Sequence, residues 1–355
     1  MTQANVAAVQ PSDMKQAWTA LREDNPGVRI REAASQLQVS EMELIATGCG
    51  DSVTRLEGDW KAAISDLPSL GEVMALTRNE YAVHEKIGLY GNISFSGNMG
   101  LVLNDAIDLR LFMSHWHHGF AVTEQASAGE RHSLQFFDAS GTAVHKVYLT
   151  DASDYDAYQS LVGAYRARDQ SQEQSVLPAP VKPGERDDSE IDVHGMHAHW
   201  NALKDTHDFQ DFLRQFGVTR TQALRLAGRD LANPVDPSLV SLFLETLSEQ
   251  QLEIMVFVAS RGVVQIHSGP IRNLKRTGPW FNVLDETFSL HLREDAVAKA
   301  WVVRKPTVDG VVSSLELYDA DGGTIALLFG KRKPGLAENE AWRRILEALP
   351  EEEGT

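Results

Sequence analysis

The stretch Trp200-Asn-Ala-Leu-Lys-Asp-Thr-His207-Asp-Phe-Gln-Asp-Phe-Leu-Arg-Gln-Phe216 sets one histidine in a pattern that predicts a single amphipathic helix. Ala202, Phe209, Leu213 and Phe216 recur at helical spacing, and Trp200, Leu203 and His207 form a neighbouring row. The spacing predicts an imidazole at the edge of an apolar surface, where its neutral nitrogen can ligate a metal. A hydrogen-bonded structural histidine fits the same pattern. A second group of chemistry-bearing residues lies in the C-terminal half. Arg272, Lys275 and Arg276, then Arg304-Lys305, then Lys331-Arg332-Lys333 are three basic clusters in a chain of net charge -17. They suit a small anionic ligand, and they equally suit solvated loops.

Two further histidine groups invite a metal reading. His115, His117 and His118 crowd one short segment, in which His115 and His117 are expected on one face of a strand. His194, His197 and His199 follow the Pro-containing stretch Gln170 to Glu190, where Pro178, Pro180 and Pro183 prevent regular structure. A polar lead-in to a helix explains the second group as well as a metal does. Just before the first group, Arg110 sits between apolar neighbours. It must either pair with a carboxylate such as Asp108 or project into a pocket.

The elements that would position these residues form a duplicated unit. Trp18-Thr-Ala-Leu21 recurs as Trp200-Asn-Ala-Leu203. Val39-Ser40-Glu-Met-Glu43 recurs as Val218-Thr219-Arg-Thr-Gln222, and both read as capping boxes that start a helix. Ser133 to Thr142 recurs as Ser314 to Gly323, with a hairpin turn at Asp138-Ala-Ser-Gly141 and again at Asp319-Ala-Asp-Gly-Gly323. Within a copy the order is helices, then an antiparallel meander, then a closing helix, at Tyr155 to Arg168 and at Ala341 to Leu349. The expected class is therefore α+β, a tandem repeat in which each half is an antiparallel sheet with helices. The expected boundaries are an N-terminal repeat 1–169, a linker 170–193 and a C-terminal repeat 194–355.

Composition narrows the function classes. A chain of 355 residues with 43% hydrophobic residues can build two ordinary cores. No apolar run is long enough to insert in a membrane, and the N-terminus lacks the basic and apolar regions of a signal peptide, which points to the cytoplasm. Cys49 is the only cysteine, so internal disulfides and cysteine-based clusters are excluded. The acidic balance makes nucleic acid an unlikely partner. Ile30 to Ile45 could pass for a helix-turn-helix of a DNA-binding regulator, but Glu41 and Glu43 on its second helix would repel phosphate, and packing is the better reading. P-loop, dinucleotide-fold, nucleophile-elbow and zincin motifs are all missing from the sequence.

The chain resembles the HmuS/HemS/ChuS-type cytoplasmic haem-handling proteins of Gram-negative bacteria, also called haemin-degrading factors. The resemblance covers essentially the whole length. It rests on Asp108-Leu-Arg110-Leu-Phe112 with Trp116 to Val122, on Phe136 to Tyr148, on Trp200 through Phe212, and on Trp301 through Gly310. It implies haem in a cleft between the C-terminal half and elements of the N-terminal half, with His207 as proximal iron ligand. It also implies Arg110 on the distal side and Lys305 and Arg332 at the propionates. The apolar neighbours of His207 suit a mostly hydrophobic macrocycle, and Asp211 is a candidate to orient its second ring nitrogen. Arg110 could hold a distal water or an oxygen ligand. Phe329 stands where some relatives carry a tyrosine, so any contact of that phenol is lost. The implied function is haem binding in uptake and utilisation, with haem passed on for iron release. The alternative is an oxygenase-like ring-opening enzyme, and the implied partners are an importer and an oxygenase or reductase.

Overall fold

The computed structural model describes residues 11–126, 129–182, 184–332 and 335–350. Lys333 and Pro183, named above, lie outside these residues, as does the N-terminal decapeptide read for a leader. The chain forms two compact units. They are not the two contiguous repeats expected from the sequence, because each takes a short segment from the other half. Unit 1 is Met1–Thr77, Ile87–Pro180 and Ser260–Val263; unit 2 is Arg78–Lys86, Val181–Ala259 and Val264–Thr355. Backbone pairing accounts for the exchange. Gly262 O accepts hydrogen bonds from Phe112 N at 2.9 Å and Trp116 Nε1 at 3.1 Å, all in unit 1. In unit 2, Ala82 to Lys86 pair antiparallel with Leu292 to Phe288.

Unit 1 opens with the helices Pro11–Asp24, Ile30–Leu37 and Glu41–Ala46. Ser40 starts the last of these as expected: its hydroxyl accepts from Glu43 N at 3.1 Å, and Glu43 Oε2 accepts from Ser40 N at 2.8 Å. Met42, Leu44 and Ile45 are buried, and Glu41 is buried against Lys146 Nζ at 2.5 Å. The would-be recognition helix is thus packed into the core, which agrees with the packing reading and not with groove entry.

Five antiparallel strands follow in the order Val53–Leu56, His118–Ala126, Gly129–Phe137, Ala143–Ser153, Gly71–Arg78. Val73, Leu134, Phe136 and Val147 fill the core beneath them, with Ile64 and Leu161 from the helices Trp60–Asp66 and Tyr155–Tyr165. The hairpin turn works as its sequence predicts. Asp138 Oδ1 accepts from Ser140 N at 2.9 Å and from Thr142 N at 3.1 Å. Gly141 closes it at φ +76°, and a Cβ there would lie 2.3 Å from Ser40 Oγ. Gly141→Ala is therefore expected to cost roughly 1–3 kcal/mol, read as a lower midpoint in thermal unfolding.

Unit 2 repeats the plan. Six of its strands run in the order Ala232–Val235, Lys299–Thr307, Gly310–Tyr318, Thr324–Gly330, Ile254–Ala259, Val263–Gly269, all antiparallel where registered. Asp319 Oδ1 accepts from Asp321 N at 2.9 Å and Gly323 N at 2.7 Å, the same turn as at Asp138. The helices Val240–Glu249 and Glu340–Glu347 cover a core of Phe243, Leu244, Val256, Leu315, Leu328 and Trp342. One expected detail differs. Thr219 accepts from Gln222 N at 3.1 Å, but the Gln222 amide donates to Arg186 O and Asp188 Oδ1, so the capping box is only half made. The same contacts dock the expected linker, which carries a short 3-10 turn at Asp188–Glu190.

Candidate functional site

His207 does not lie in one long helix. The helix Val193–Asn201 ends, a 3-10 turn spans Thr206–Asp208, and a new helix runs Phe209–Phe216. The physical reason is Asp205. Its carboxylate accepts from His207 N at 2.9 Å, a local bond that competes with the helical ladder and restarts the chain. Gly217, in the left-handed region at φ +62°, stops the second helix, with Val218 N donating to Leu213 O.

The two ends of the turn are buried. Trp200 is wholly enclosed, edge-on to Phe209 at 4.6 Å and to Phe212 at 5.3 Å, and its Nε1 donates to Arg304 O at 2.9 Å. Leu203 and Phe209 are buried as well, and Val308 N donates to Lys204 O at 3.0 Å. Between these anchors the His207 side chain stands 83% exposed, not against an apolar wall as expected. Ala202, expected on the apolar face, is exposed.

His207 Nδ1 lies 2.6 Å from Asp205 Oδ1. With Nδ1–H donated there, Nε2 carries the free lone pair. Asp205 therefore takes the orienting role expected of Asp211, whose carboxylate pairs with Arg214 one turn along the surface. The Asp205 carboxyl is held below the usual range. The His207 N–H is the largest cause, burial opposes it, and the His207 ring and the charge of Arg332 add to it. Arg332 thus belongs to the same electrostatic neighbourhood. Its nearest carboxylate is Asp309 at 3.5 Å, and its Nη1 is buried without a hydrogen-bond partner among the described residues.

Lys305 is the main correction. It is not part of an exposed basic cluster: its side chain is 2% exposed and its Nζ donates to Glu316 Oε1 at 2.7 Å. Burial pushes its pKa down to about 8, with Glu316 opposing and Arg220 adding to the effect. The register explains the burial, since Lys305 pairs with Val312 on a strand whose inward residues line the core. The sequence reading missed Arg220 and Glu316. Arg220 grips Glu316 with a two-pronged bond, Nε to Oε2 at 2.8 Å and Nη2 to Oε1 at 2.7 Å. Glu316 is 0% exposed and also accepts from Ser314 Oγ and Tyr318 Oη. The Arg220 and Lys305 cations hold its carboxyl well below the usual range against the opposing effect of burial. Two cations against one carboxylate leave an excess positive charge inside the unit, a costly state that an anion would relieve.

The other basic clusters are largely occupied: Arg276 pairs with Glu245 and Glu294, and Lys331 with Glu253. Arg110, in unit 1 on the strand Asp108–Phe112, pairs through Nη1 with Asp108, the first of its two expected fates. Its Nε and Nη2 have no partner among the described residues. Phe329 packs edge-on to Phe257 at 5.1 Å.

The two other histidine groups are not brought together as a ligand set, and His194 is exposed. His115 ends a 3-10 turn, His117 lies in the connector with Nε2 3.1 Å from Ser114 O, and only His118 is in the strand, so the expected shared face does not form. His197 Nε2 lies 2.7 Å from Leu226 O, and His199 packs on Phe212 and Phe216. Among the described residues no three His, Cys, Asp or Glu side chains are grouped to hold a metal ion. None of their helices is long and apolar enough to cross a membrane.

Comparison with known proteins agrees with this architecture. The profile of the "Haemin-degrading HemS.ChuX domain" matches residues 38–165 and 217–349, one match in each copy of the repeat. The hemin transport protein HmuS of Yersinia pestis is 40% identical over 342 residues, covering 95% of this chain and 97% of HmuS. HemS of Yersinia enterocolitica is 42% identical over 323 residues, covering 90% and 92%. Among solved structures, holo-PhuS, a heme-binding protein of Pseudomonas aeruginosa, superposes with a TM-score of 0.94 at 44% identity, over 97% of this chain and all of PhuS. ChuS, described as an Escherichia coli heme oxygenase, gives 0.86 at 37% identity, over 95% and 99%. With both copies of the domain matched and relatives aligned end to end, the chain belongs to the haemin-degrading HemS.ChuX family.

Proposed function

We propose that this chain binds haem through His207 Nε2 and serves haem utilisation, accepting imported haem and passing it on for iron release. The observation that carries the reading is the His207 side chain itself: an exposed imidazole with Nδ1 anchored on Asp205 and Nε2 presented outward. The surroundings fit an anionic porphyrin. Arg332 brings a guanidinium for a propionate, its Nη1 without a hydrogen-bond partner among the described residues. Lys305 and Arg220 supply excess positive charge from below, so Lys305 acts through its field and not as a free surface hook. When bound, the porphyrin iron supplies the redox chemistry; the protein's part is to hold and orient the ring. A single buried cysteine suits the cytoplasm, where an importer would deliver haem and an oxygenase would receive it.

Titrating the protein with ferric haemin tests the reading. A saturable, histidine-ligated Soret band at one equivalent is expected, and free haemin throughout would overturn it. Arg332→Ala is expected to lose roughly 1.5–3 kcal/mol of haem affinity, about ten- to a hundredfold, with the axial-ligand spectrum unchanged. Haemin with esterified propionates should bind wild type and variant alike, and a persisting difference between them would remove the propionate role.

A second reading, ring opening by the protein itself, is favoured by Arg110, whose Nε and Nη2, without a partner among the described residues, could orient a water or an oxygen ligand. Aerobic turnover with a reductase, followed by loss of the Soret band in the presence of catalase, distinguishes it from delivery alone. Survival of the band, or its loss only without catalase, counts against an enzyme.

A further inference from the structure

The turn that carries His207 is joined to the helix Phe209–Phe216, whose first residue, Phe209, is buried. What holds Phe209 is unusual for a core phenylalanine. Besides Trp200 and Phe212, its ring is covered by two cations, Lys305 Nζ 4.6 Å and Arg220 Cζ 4.9 Å from the ring centre. Neither cation would stay over an apolar ring without a counter-charge, and the same carboxylate holds both. Glu316 Oε1 accepts from Lys305 Nζ and from Arg220 Nη2, each at 2.7 Å. Tyr318 Oη and Ser314 Oγ fix the carboxylate in turn.

Copy one keeps the serine of this set, as Ser133, and lacks its charged members and the tyrosine. By the repeat alignment Glu316 corresponds to Gln135, Tyr318 to Phe137 and Arg220 to Glu41, and the equivalent strand position to Lys305 is Glu124. Gln135 is buried but neutral, its amide donating to Ser133 Oγ at 3.0 Å. Copy one buries a single ion pair there instead, Glu41 with Lys146 Nζ at 2.5 Å, Lys146 lying across from Gln135, so the repeat does not require the two-cation clamp. It is present in the copy that carries the histidine.

Resting on the reading of His207 as ligand, we propose that Glu316 is a positioning residue for the His207 turn: its carboxylate holds Arg220 and Lys305 over Phe209, and Phe209 sets the turn so that His207 stays bonded to Asp205. The residue touches no ligand. It acts through the ring and backbone of its neighbours.

The test uses the full chain with Glu316→Gln, Phe209→Leu and the double variant, first without haem and then with ferric haemin. In the haem-free protein the 15N shift of His207 Nδ1 reports its bond to Asp205, which a purely structural residue far from the turn would not move. Glu316→Gln is expected to keep the wild-type circular dichroism, to shift the Nδ1 signal towards that of an unbonded ring, and to weaken haemin binding about tenfold or more. Phe209→Leu should do the same, and the double variant should be no worse than the more severe single. An unmoved Nδ1 signal, or losses that simply add, would overturn the proposal. If Glu316→Gln does not fold, Tyr318→Phe removes one donor to the carboxylate while keeping its charge. It must then move the Nδ1 signal in the same direction, and failure to do so overturns the proposal equally. If instead His207→Ala binds haemin as wild type does, the ligand reading fails while the nitrogen shifts still decide the role of Glu316.

Discussion

Ferric haemin added to a His207→Ala variant is expected to show no histidine-ligated Soret band, or one strongly displaced from that of wild type. The expectation follows from geometry. Among the described residues only His207 combines exposure with a ring nitrogen already oriented by a carboxylate, whereas His197 and His199 on the preceding helix are engaged by Leu226 O and by aromatic packing. Removing an exposed side chain leaves the two buried anchors of the turn in place, so the variant should unfold at nearly the wild-type temperature. A changed spectrum with unchanged stability assigns the ligand; an unchanged spectrum would sink the assignment. The mode of loss is informative too. Arg332 and the cations under Phe209 remain, so residual haemin binding without axial ligation is the expected remnant.

Trp200→Ala is expected to have the largest effect on stability, a loss of roughly 3–5 kcal/mol. The indole is fully enclosed, packs edge-on to Phe209 and Phe212, and spends its one donor on Arg304 O, so alanine leaves both a cavity and an unpaired carbonyl. Denaturant unfolding with a common slope measures the loss. A loss below about 1 kcal/mol would show that the site collapses around the smaller side chain. Because Trp200 is one of the anchors of the His207 turn, haemin affinity should fall with stability in this variant. In His207→Ala the two quantities separate, and that contrast distinguishes loss of the ligand from loss of its platform.

Much of the fold was legible in the residues. Recurrence of Trp18 at Trp200, of Ser40 at Thr219 and of the Asp138 turn at Asp319 exposes a duplicated α+β unit, because caps and turns are local bargains between a side chain and the next few backbone amides. The structure returns the same bonds at Asp138 and Asp319. The asymmetry of the copies is legible too. Aligned on Trp18 and Trp200, copy one carries Asn25 where copy two carries His207. Asn25 stands in the turn after the first helix, accepting from Gly27 N at 3.2 Å, so the position is shared and the imidazole is not.

Where the reading failed, competition decided the outcome. Helical periodicity from Trp200 to Phe216 is real, but Asp205 offers His207 N a closer acceptor than the helix does, and the chain breaks there. That break lifts the imidazole off the apolar face and makes Asp205 its partner in place of Asp211.

The sequence by itself determined the tandem α+β plan, the position of His207 and the acidic charge that disfavours nucleic acid, because these rest on types, spacing and short-range bonds. Only the tertiary structure decided which segments the two units exchange, that Lys305 is buried beneath the His207 turn, and that Arg220 and Glu316 join it there. Strand register brings Lys305 and Glu316 side by side, and packing of a separate helix brings Arg220 to them. Contacts between residues so far apart in the chain leave no periodic mark on it, and their burial gives them a strength that the same charges would not have in water.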